Sequence, residues 1–248
     1  MSRRNEHLGT RAIKNRVIDR VRRQAVRVAT HVWRRVDSKS TAGMAWKRQG
    51  EHITFKWDGF VDAPDVPILL ARHNYEVAII RRLLRARTIR RSLELGCGFG
   101  RLSPTFAELS QDHTAVDINA SALQAARIAY PELDFREVDG DHLPFANDTF
   151  DLLATWTVAQ HIPPQKIDHA MSEIRRVLRP DGIVLLCEET RPAERPAAHV
   201  WPRDESFYSG RLQPLALTHS AFIEEIDRLP GMFSPGRVML FEPTVARS

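Results

Sequence analysis

The chain has 248 residues, 36 Lys/Arg against 31 Asp/Glu, 43% hydrophobic residues and two cysteines. A chain of this length can bury one large core. The hydrophobic share suits a soluble globular protein, and no apolar run approaches the ~18 residues that suggest a membrane span. Two cysteines are too few for a cysteine-ligated metal centre. Without a continuous apolar stretch near the N-terminus a secretory leader is not expected, so Cys97 and Cys187 read as reduced thiols in a cytoplasmic protein.

The net charge of +5 is unevenly placed. Residues 1–35 hold eleven Lys/Arg and two Asp/Glu, a net of +9, which leaves −4 for the remainder. The basic character therefore belongs to an arm and not to the domain. Within 11–36, Ile13, Val17, Val21, Ala25, Val28, Val32 and Val36 recur every three or four residues, the period of an amphipathic helix. Arg16, Arg20, Arg23, Arg27, Arg34 and Arg35 occupy much of its remaining surface. Such a helix can pack on the domain by its Val/Ile stripe, lie on an anionic membrane surface or touch nucleic acid; an organelle presequence has the same composition. The Val-rich stripe, with only Trp33 as a large group nearby, makes membrane insertion weak and contact peripheral. The division is a basic arm and linker at 1–50, then one domain at 51–248 with a helical lead-in at 51–90.

Residues 37–50 are polar and read as a linker. Residues 51–66 read as a lid or loop. The spacing of Leu69, Leu70, Tyr75, Ile79, Ile80, Leu83 and Leu84 predicts a helix over 67–87, with Pro67 in its first turn. From there strands and helices alternate, the mark of a parallel sheet with crossover helices. Strands are expected at 92–96, 114–118, 133–137, 151–156 and 183–188. Helices are expected from 101 to about 110, over 120–129 with Asn119 as N-cap, and over 165–178, stopped by Pro180-Asp181-Gly182. A Pro-rich loop near 192–202 and a short helix at 204–212 follow. Strands at 215–226 and 237–241, joined through Pro230-Gly231 and Ser234-Pro235-Gly236, close the chain as an antiparallel pair. The expected fold is α/β: a Rossmann-like open sheet of seven strands, mostly parallel with an antiparallel last strand and helices on both faces.

Leu93-Glu94-Leu95-Gly96-Cys97-Gly98-Phe99-Gly100 leaves the first of these strands. Three glycines at alternate positions let the backbone turn tightly with no Cβ atoms in the way of a ligand, and the following helix turns its free N–H groups toward the gap. Glu94 would repel a phosphate cradled there, so the ligand expected carries positive charge, such as an ammonium near a sulfonium. Asp117 ends the second strand, where a carboxylate can accept from both hydroxyls of a ribose. Taken alone, loop and Asp117 also suit NAD. The segment Val138-Asp139-Gly140-Asp141-His142-Leu143-Pro144-Phe145, entering Phe150-Asp151-Leu152-Leu153, is one that a dehydrogenase does not need.

In these segments, and in Glu173-Ile174-Arg175-Arg176-Val177-Leu178-Arg179-Pro180-Asp181-Gly182, the chain resembles the class I S-adenosylmethionine-dependent methyltransferases. The likeness covers about 90–190, with a weaker match in the C-terminal hairpin. Pro180-Asp181-Gly182 stands where the family usually has Pro-Gly-Gly, a mild departure in a turn that tolerates Asp. The resemblance implies S-adenosylmethionine as cofactor, held by Glu94, Gly96, Gly98, Gly100, Asp117, Ile118, Asp139, Gly140, Trp156 and Thr157. Asp139 would meet the adenine amino group, with Asp141 the competing candidate. Arg72, His73 and Tyr75 lie on the helix that in relatives covers the cofactor.

His161, just beyond the fourth strand, is the first candidate for a base that takes a proton from the acceptor; it can equally cap or pack the loop before Pro163-Pro164. Glu188, Glu189, His199 and Trp201 are candidate substrate contacts, each with a plain structural alternative. No convincing Asp/Asn set for a divalent ion is seen. The function expected is methyl transfer by in-line displacement to a small-molecule or lipid- or glycan-linked acceptor, at oxygen in preference to nitrogen or carbon. The competing readings are an NAD-dependent oxidoreductase, an RNA-binding methyltransferase that uses the basic arm, and a domain that binds cofactor without turnover.

Overall fold

The computed structural model describes residues 45–49, 52–56, 66–191, 200–223 and 236–244, with side chains from His73 onward. The basic arm at 11–36, and His199 with it, lie outside the described residues. The first elements depart from the sequence reading. Ala45–Gln49 (β1) and His52–Lys56 (β2) pair antiparallel, with Gln49 opposite His52. Part of the expected linker and part of the expected lid are thus the two arms of a hairpin. Trp46, Ile53, Thr54 and Phe55 are strand-forming residue types. Polarity and glycine content had masked that pattern.

Val66–Leu84 (α1) leads into Ile89–Leu95 (β3). Ser103–Leu109 (α2), Ser110–Asp117 (β4), Ala120–Ala129 (α3) and Asp134–Glu137 (β5) follow. Next come Phe150–Trp156 (β6), a 3-10 turn at Ala159–His161, Ile167–Val177 (α4) and Leu178–Glu189 (β7). Glu205–Arg211 (α5), Leu215–Phe222 (β8) and Gly236–Pro243 (β9) complete the described chain. The seven-stranded sheet has the order β5-β4-β3-β6-β7-β9-β8. The first five strands run parallel, and β9 lies antiparallel to both β7 and β8. The expected topology is therefore the one observed.

Two boundaries moved for local reasons. Pro180-Asp181-Gly182 does not form a separate turn after the helix. The chain goes from α4 directly into β7, and the pairing with β6 jumps from Phe150–Leu178 to Leu152–Ile183. The turn-forming residues are absorbed as an irregularity in a strand, where an unpaired stretch tolerates a residue without an N–H. In turn, β4 begins at Ser110, directly after α2, so it is longer than its apolar run suggested.

The strand registers decide which residues share a face. Leu93, Leu153 and Val184 lie side by side, as do Glu94, Ala154 and Leu185 on the opposite face. The first set packs with Ile167, Met171, Ile174 and Val177 of α4 and with Tyr208 of α5. The second face meets Ile79, Ile80 and Leu84 of α1 and Phe106 of α2, while Ala115 and Phe135 further along meet Leu123 and Ala126 of α3. Because both faces are covered, the central strands β6 and β7 are buried almost throughout, as parallel strands usually are. Asn119 caps α3 by accepting from the amides of Ser121 and Ala122, each at 3.1 Å, a contact worth about 1 kcal/mol. The consequence for function is positional. The carboxyl ends of β3, β4 and β6, with the ends of β5 and β7, form one rim, where ligands of open α/β sheets bind.

Candidate active site

Three glycines leave β3 with positive φ: Gly96 at 77°, Gly98 at 54° and Gly100 at 72°. Their roles differ. A Cβ on Gly96 would lie 2.3 Å from Val158 Cγ2, and one on Gly100 would lie 2.8 Å from Phe135 Cζ. Those two are glycine because protein fills the space. A Cβ on Gly98 would meet no atom within 4 Å. Gly98 is therefore the member of the loop whose missing side chain leaves open room above the backbone.

Asp117, at the tip of β4, holds this loop. Its Oδ2 accepts from the Gly98 amide at 2.7 Å and its Oδ1 from the Asn119 amide at 2.8 Å. Each carboxylate oxygen can accept more than one hydrogen bond. Burial pushes this carboxyl above its ordinary range, while the amides of Gly98, Asn119 and Ile118 pull it back. Ile118 follows, 45% exposed, the large hydrophobic that stands out on the described surface. Its Cγ2 is 3.1 Å from where a Cβ on Gly140 would be, and Gly140 has φ 82°. Ile118, Asp117 and Gly140 thus meet at one place on the rim. Asp139 sits beside them in an Asx turn, its Oδ1 accepting from the amides of Asp141 at 2.8 Å and His142 at 3.0 Å, which hold the carboxyl below its usual range. Asp141 turns away instead, pairing with Lys166 at 3.0 Å.

Behind that turn, Glu173 and Arg176 of α4 clamp the segment. Glu173 accepts from the Leu143 amide at 2.9 Å, and Arg176 donates to the carbonyls of Leu143 at 2.8 Å and Phe145 at 2.7 Å. The guanidinium holds the Glu173 carboxyl down to about 2. Glu94 is buried beneath the glycine loop. It accepts from the Ser103 hydroxyl at the start of α2, and His113 Nε2 lies 3.6 Å from the same oxygen. Burial, with Glu94 and Asp117 nearby, pushes the Cys97 thiol far above its ordinary value, which makes it inert.

Helix α1 is fastened over this side by a carboxylate that sequence reading had not singled out. Glu76, fully buried, accepts from Trp156 Nε1 at 3.0 Å and from Arg101, the residue after Gly100. Trp156 therefore lies in the core between β6 and α1, its one donor engaged by Glu76. His73 lies 3.4 Å from Arg101, and burial with that positive charge lowers its pKa to about 4. Glu76 looked like any polar residue on a helix flank; only the docking of α1 gives it two partners.

After β6 the chain makes a tight segment, 157–162. Thr157 has φ 58°, a left-handed conformation that a β-branched residue seldom adopts and that tends to occur where a site demands it. Val158 fills the slot that Gly96 leaves. His161 ends the 3-10 turn, half-buried, with its Nε2 3.3 Å from Gln160 Nε2. Glu188 does not face this rim as a substrate contact would. It is fully buried and accepts from Thr155, Val158 and Gln160. Glu189 is buried as well, its amide donating to Gln160 Oε1 at 2.7 Å. Trp201, half-buried, donates its amide to the Gln160 carbonyl at 2.8 Å, which brings the segment after β7 against the one after β6. Arg203, absent from the sequence reading, is buried beneath both and donates to the carbonyls of Ala159, Trp201 and Ile162. Nothing in its local sequence marks it.

The donor set suits S-adenosylmethionine. Open room above Gly98 adjoins a hydrogen-bond-accepting carboxylate, and Ile118 offers an exposed apolar surface next to the Asp139–Gly140 turn. Among the described residues no group of three His, Cys, Asp or Glu side chains is arranged to hold a metal ion.

Comparison with known proteins gives the same answer. Residues 93–186 match the family model described as "Methyltransferase domain". A malonyl-[acyl-carrier protein] O-methyltransferase of Salmonella typhimurium is 32% identical over 118 residues, 46% of this chain and 46% of its own. A ubiquinone/menaquinone biosynthesis C-methyltransferase of Coxiella burnetii is 30% identical over 139 residues, 52% of this chain and 53% of its own. The chain spans about half the length of the curated relatives it matches. In fold it is similar to phosphoethanolamine N-methyltransferase 1 of Haemonchus contortus, whose structure holds phosphoethanolamine and S-adenosylhomocysteine, with a TM-score of 0.60 at 16% identity over 77% of this chain and 48% of that one. Sheet order, glycine loop and family match converge: residues 93–186 match the methyltransferase-domain family model, on a Rossmann-like fold that solved methyltransferase structures share.

Proposed function

We propose that the protein transfers a methyl group to an oxygen of a small-molecule or lipid- or glycan-linked acceptor bound on the rim beside the 157–162 segment. The observation that carries this reading is the open room at Gly98 next to the two-handed Asp117 carboxylate. Asp117 would hold the ribose hydroxyls, and Ile118, Asp139 and Gly140 the adenine. The backbone of Gly96 to Gly100 would face the amino-acid part, with the Glu94 charge beneath it. Bound S-adenosylmethionine supplies a methyl group that its sulfonium already activates. The chain therefore has to bring the acceptor into line and remove its proton. Alignment of reactants can contribute up to roughly 7–11 kcal/mol, and here it falls to Thr157, His161 and Trp201 on the two segments that meet at Gln160. His161 is the proposed base, since an imidazole changes charge near neutral pH.

A second reading, transfer to an aromatic carbon, is supported by the Coxiella burnetii relative, which is named a C-methyltransferase. It would use the same base, because a phenolate activates its ring carbons. Two experiments test the proposal. Calorimetry should show binding of S-adenosylhomocysteine and no binding of NAD; the opposite result removes the reading. Methyl-labelled S-adenosylmethionine should then label a small or lipid-extractable product from cell extract. Loss of the label on alkaline hydrolysis marks an ester oxygen, survival in ether cleavage marks carbon, and label confined to RNA or protein overturns the acceptor class.

A further inference from the structure

Segment 157–162 is held in an unusual way. Helices and strands satisfy their own backbone groups, but this short segment does so only in part. The 3-10 turn closes two bonds of its own, His161 N–H to the Val158 carbonyl at 2.9 Å and Ile162 N–H to the Ala159 carbonyl at 3.1 Å, and Thr157 donates to the Cys187 carbonyl. The amides of Val158 and Gln160 go to one charged side chain, and the carbonyls of Ala159 and Ile162 accept from another. Glu188, at the end of β7, takes the amides of Val158 at 3.2 Å and Gln160 at 3.1 Å, together with the Thr155 hydroxyl at 2.7 Å. Arg203, fifteen residues further along the sequence, gives Nη1 to the Ala159 carbonyl at 2.8 Å and Nη2 to the Ile162 carbonyl at 2.6 Å. Gln160 adds a third tie, receiving the Glu189 amide at 2.7 Å and lying 3.3 Å from the His161 ring. The Trp201 amide closes on the Gln160 carbonyl at 2.8 Å. The partners Glu188 and Glu189 end β7, and Trp201 and Arg203 follow it. The other side of the segment, through Val158, rests on the glycine loop at Gly96.

We infer that Glu188 and Arg203 are positioning residues: an anion and a cation that grip the backbone donors and acceptors of 157–162 and so fix the His161 ring and the Val158 side chain against the cofactor loop. This rests on the reading of His161 as a rim residue of the methyl-transfer site. Hydrogen bonds to charged groups are stronger and more directional than those between neutral groups. They suit a segment that must hold Thr157 in a left-handed conformation. The grip also explains why two ionisable side chains are kept in the interior. Each is surrounded by partners of the complementary kind, as a buried charge requires.

The test uses the full chain with isotope labels. The amides of Val158 and Gln160 are followed by hydrogen exchange, and the His161 ring by its carbon and nitrogen resonances, assigned by their loss in His161→Gln. In Glu188→Gln one carboxylate oxygen becomes an NH₂ that faces N–H donors. Exchange at Val158 and Gln160 is then expected to rise at least tenfold, with Leu95 and Val116 in the neighbouring strands unchanged. The His161 resonances should move in Glu188→Gln and in Arg203→Ala, and should return toward their original positions in Arg203→Lys, which restores a donor. Unchanged exchange at Val158 and Gln160, or a His161 ring that does not respond to either variant, overturns the inference. If Glu188→Gln does not fold, the Arg203→Ala and Arg203→Lys pair decides it on the same readouts. Binding of S-adenosylhomocysteine to the unaltered protein is measured separately. Its failure would remove the proposed function while leaving the exchange result to judge the grip.

Discussion

The glycine loop and segment 157–162 face each other across the rim, and they are built by opposite means. The glycine loop is shaped by missing side chains. Gly96 and Gly100 make way for Val158 and Phe135, and Gly98 leaves room open. Segment 157–162 is shaped by added ones: a buried Glu188 and a buried Arg203 bond backbone groups of the segment, and its own Gln160 side chain ties it to the Glu189 amide. The two meet where Val158 packs on Gly96. The comparison teaches that a ligand site can be rigid on one side through steric exclusion and on the other through charge. Steric exclusion is local in sequence. The charged grip joins residues about thirty to forty-five positions apart.

The sharpest way to break the comparison is to remove the group that the charged side is thought to present. His161→Ala should lower the methyl-transfer rate by roughly 10²–10⁴-fold, the usual share of a general base, with S-adenosylhomocysteine affinity nearly unchanged by calorimetry. A fully active variant would strip His161 of that role. On the steric side, the two kinds of glycine should separate. Gly96→Ala combines an unfavourable positive φ, about 1–2 kcal/mol, with overpacking against Val158 of about 1–3 kcal/mol. Gly98→Ala carries only the first of these and should instead obstruct the cofactor. Denaturant titrations should therefore rank Gly96→Ala as clearly the less stable, and equal stabilities would show that Val158 yields easily. Asp117→Ala should weaken S-adenosylhomocysteine binding by about 1–3 kcal/mol, the range for charged hydrogen bonds. An unaltered dissociation constant would take Asp117 out of the ribose site.

The smallest effects concern pH. His73 has its pKa lowered to about 4 from 6.5 in the folded protein, so between those values the unfolded chain takes up the proton first. Stability should fall as pH drops from about 6.5 to 4. Glu173, held down to about 2 from 4.5, adds a second decline between about 4.5 and 2, as the carboxylate that fastens the 142–145 segment is protonated. Chemical denaturation across pH should show both slopes. His73→Gln should flatten the upper window alone and Glu173→Gln the lower alone; a slope that survives its own substitution assigns the proton elsewhere.

The glycine loop and the strand tips around it were legible in advance. Glycines at alternate positions, an acid at the end of the next strand and an Asp-Gly turn before the fourth strand are each contained in a few consecutive residues, and the alternation of apolar runs set their order. Other parts were not legible, for identifiable reasons. The β1–β2 hairpin was hidden by a polar, glycine-containing stretch. The turn residues at 180–182 became an irregularity of β7 because a neighbouring strand was there to pair with. Glu188 stands at a strand end, where a carboxylate commonly faces a ligand. Nothing nearby in sequence shows that the amides of 158 and 160 will reach it first. Glu76 and Arg203 carry no local mark at all.

What the sequence determined by itself was the alternating α/β order, the strand tips that carry the glycine loop, Asp117 and Asp139, and hence the family resemblance. Periodicity and backbone freedom are properties of neighbouring residues. What only the tertiary structure decided was which buried charges hold the site together, that Gly96 and Gly98 have different tasks, and that Glu188 faces inward. These depend on partners brought together by the sheet. A side chain's role as a ligand or as a brace follows from what packs against it and not from its own chemistry.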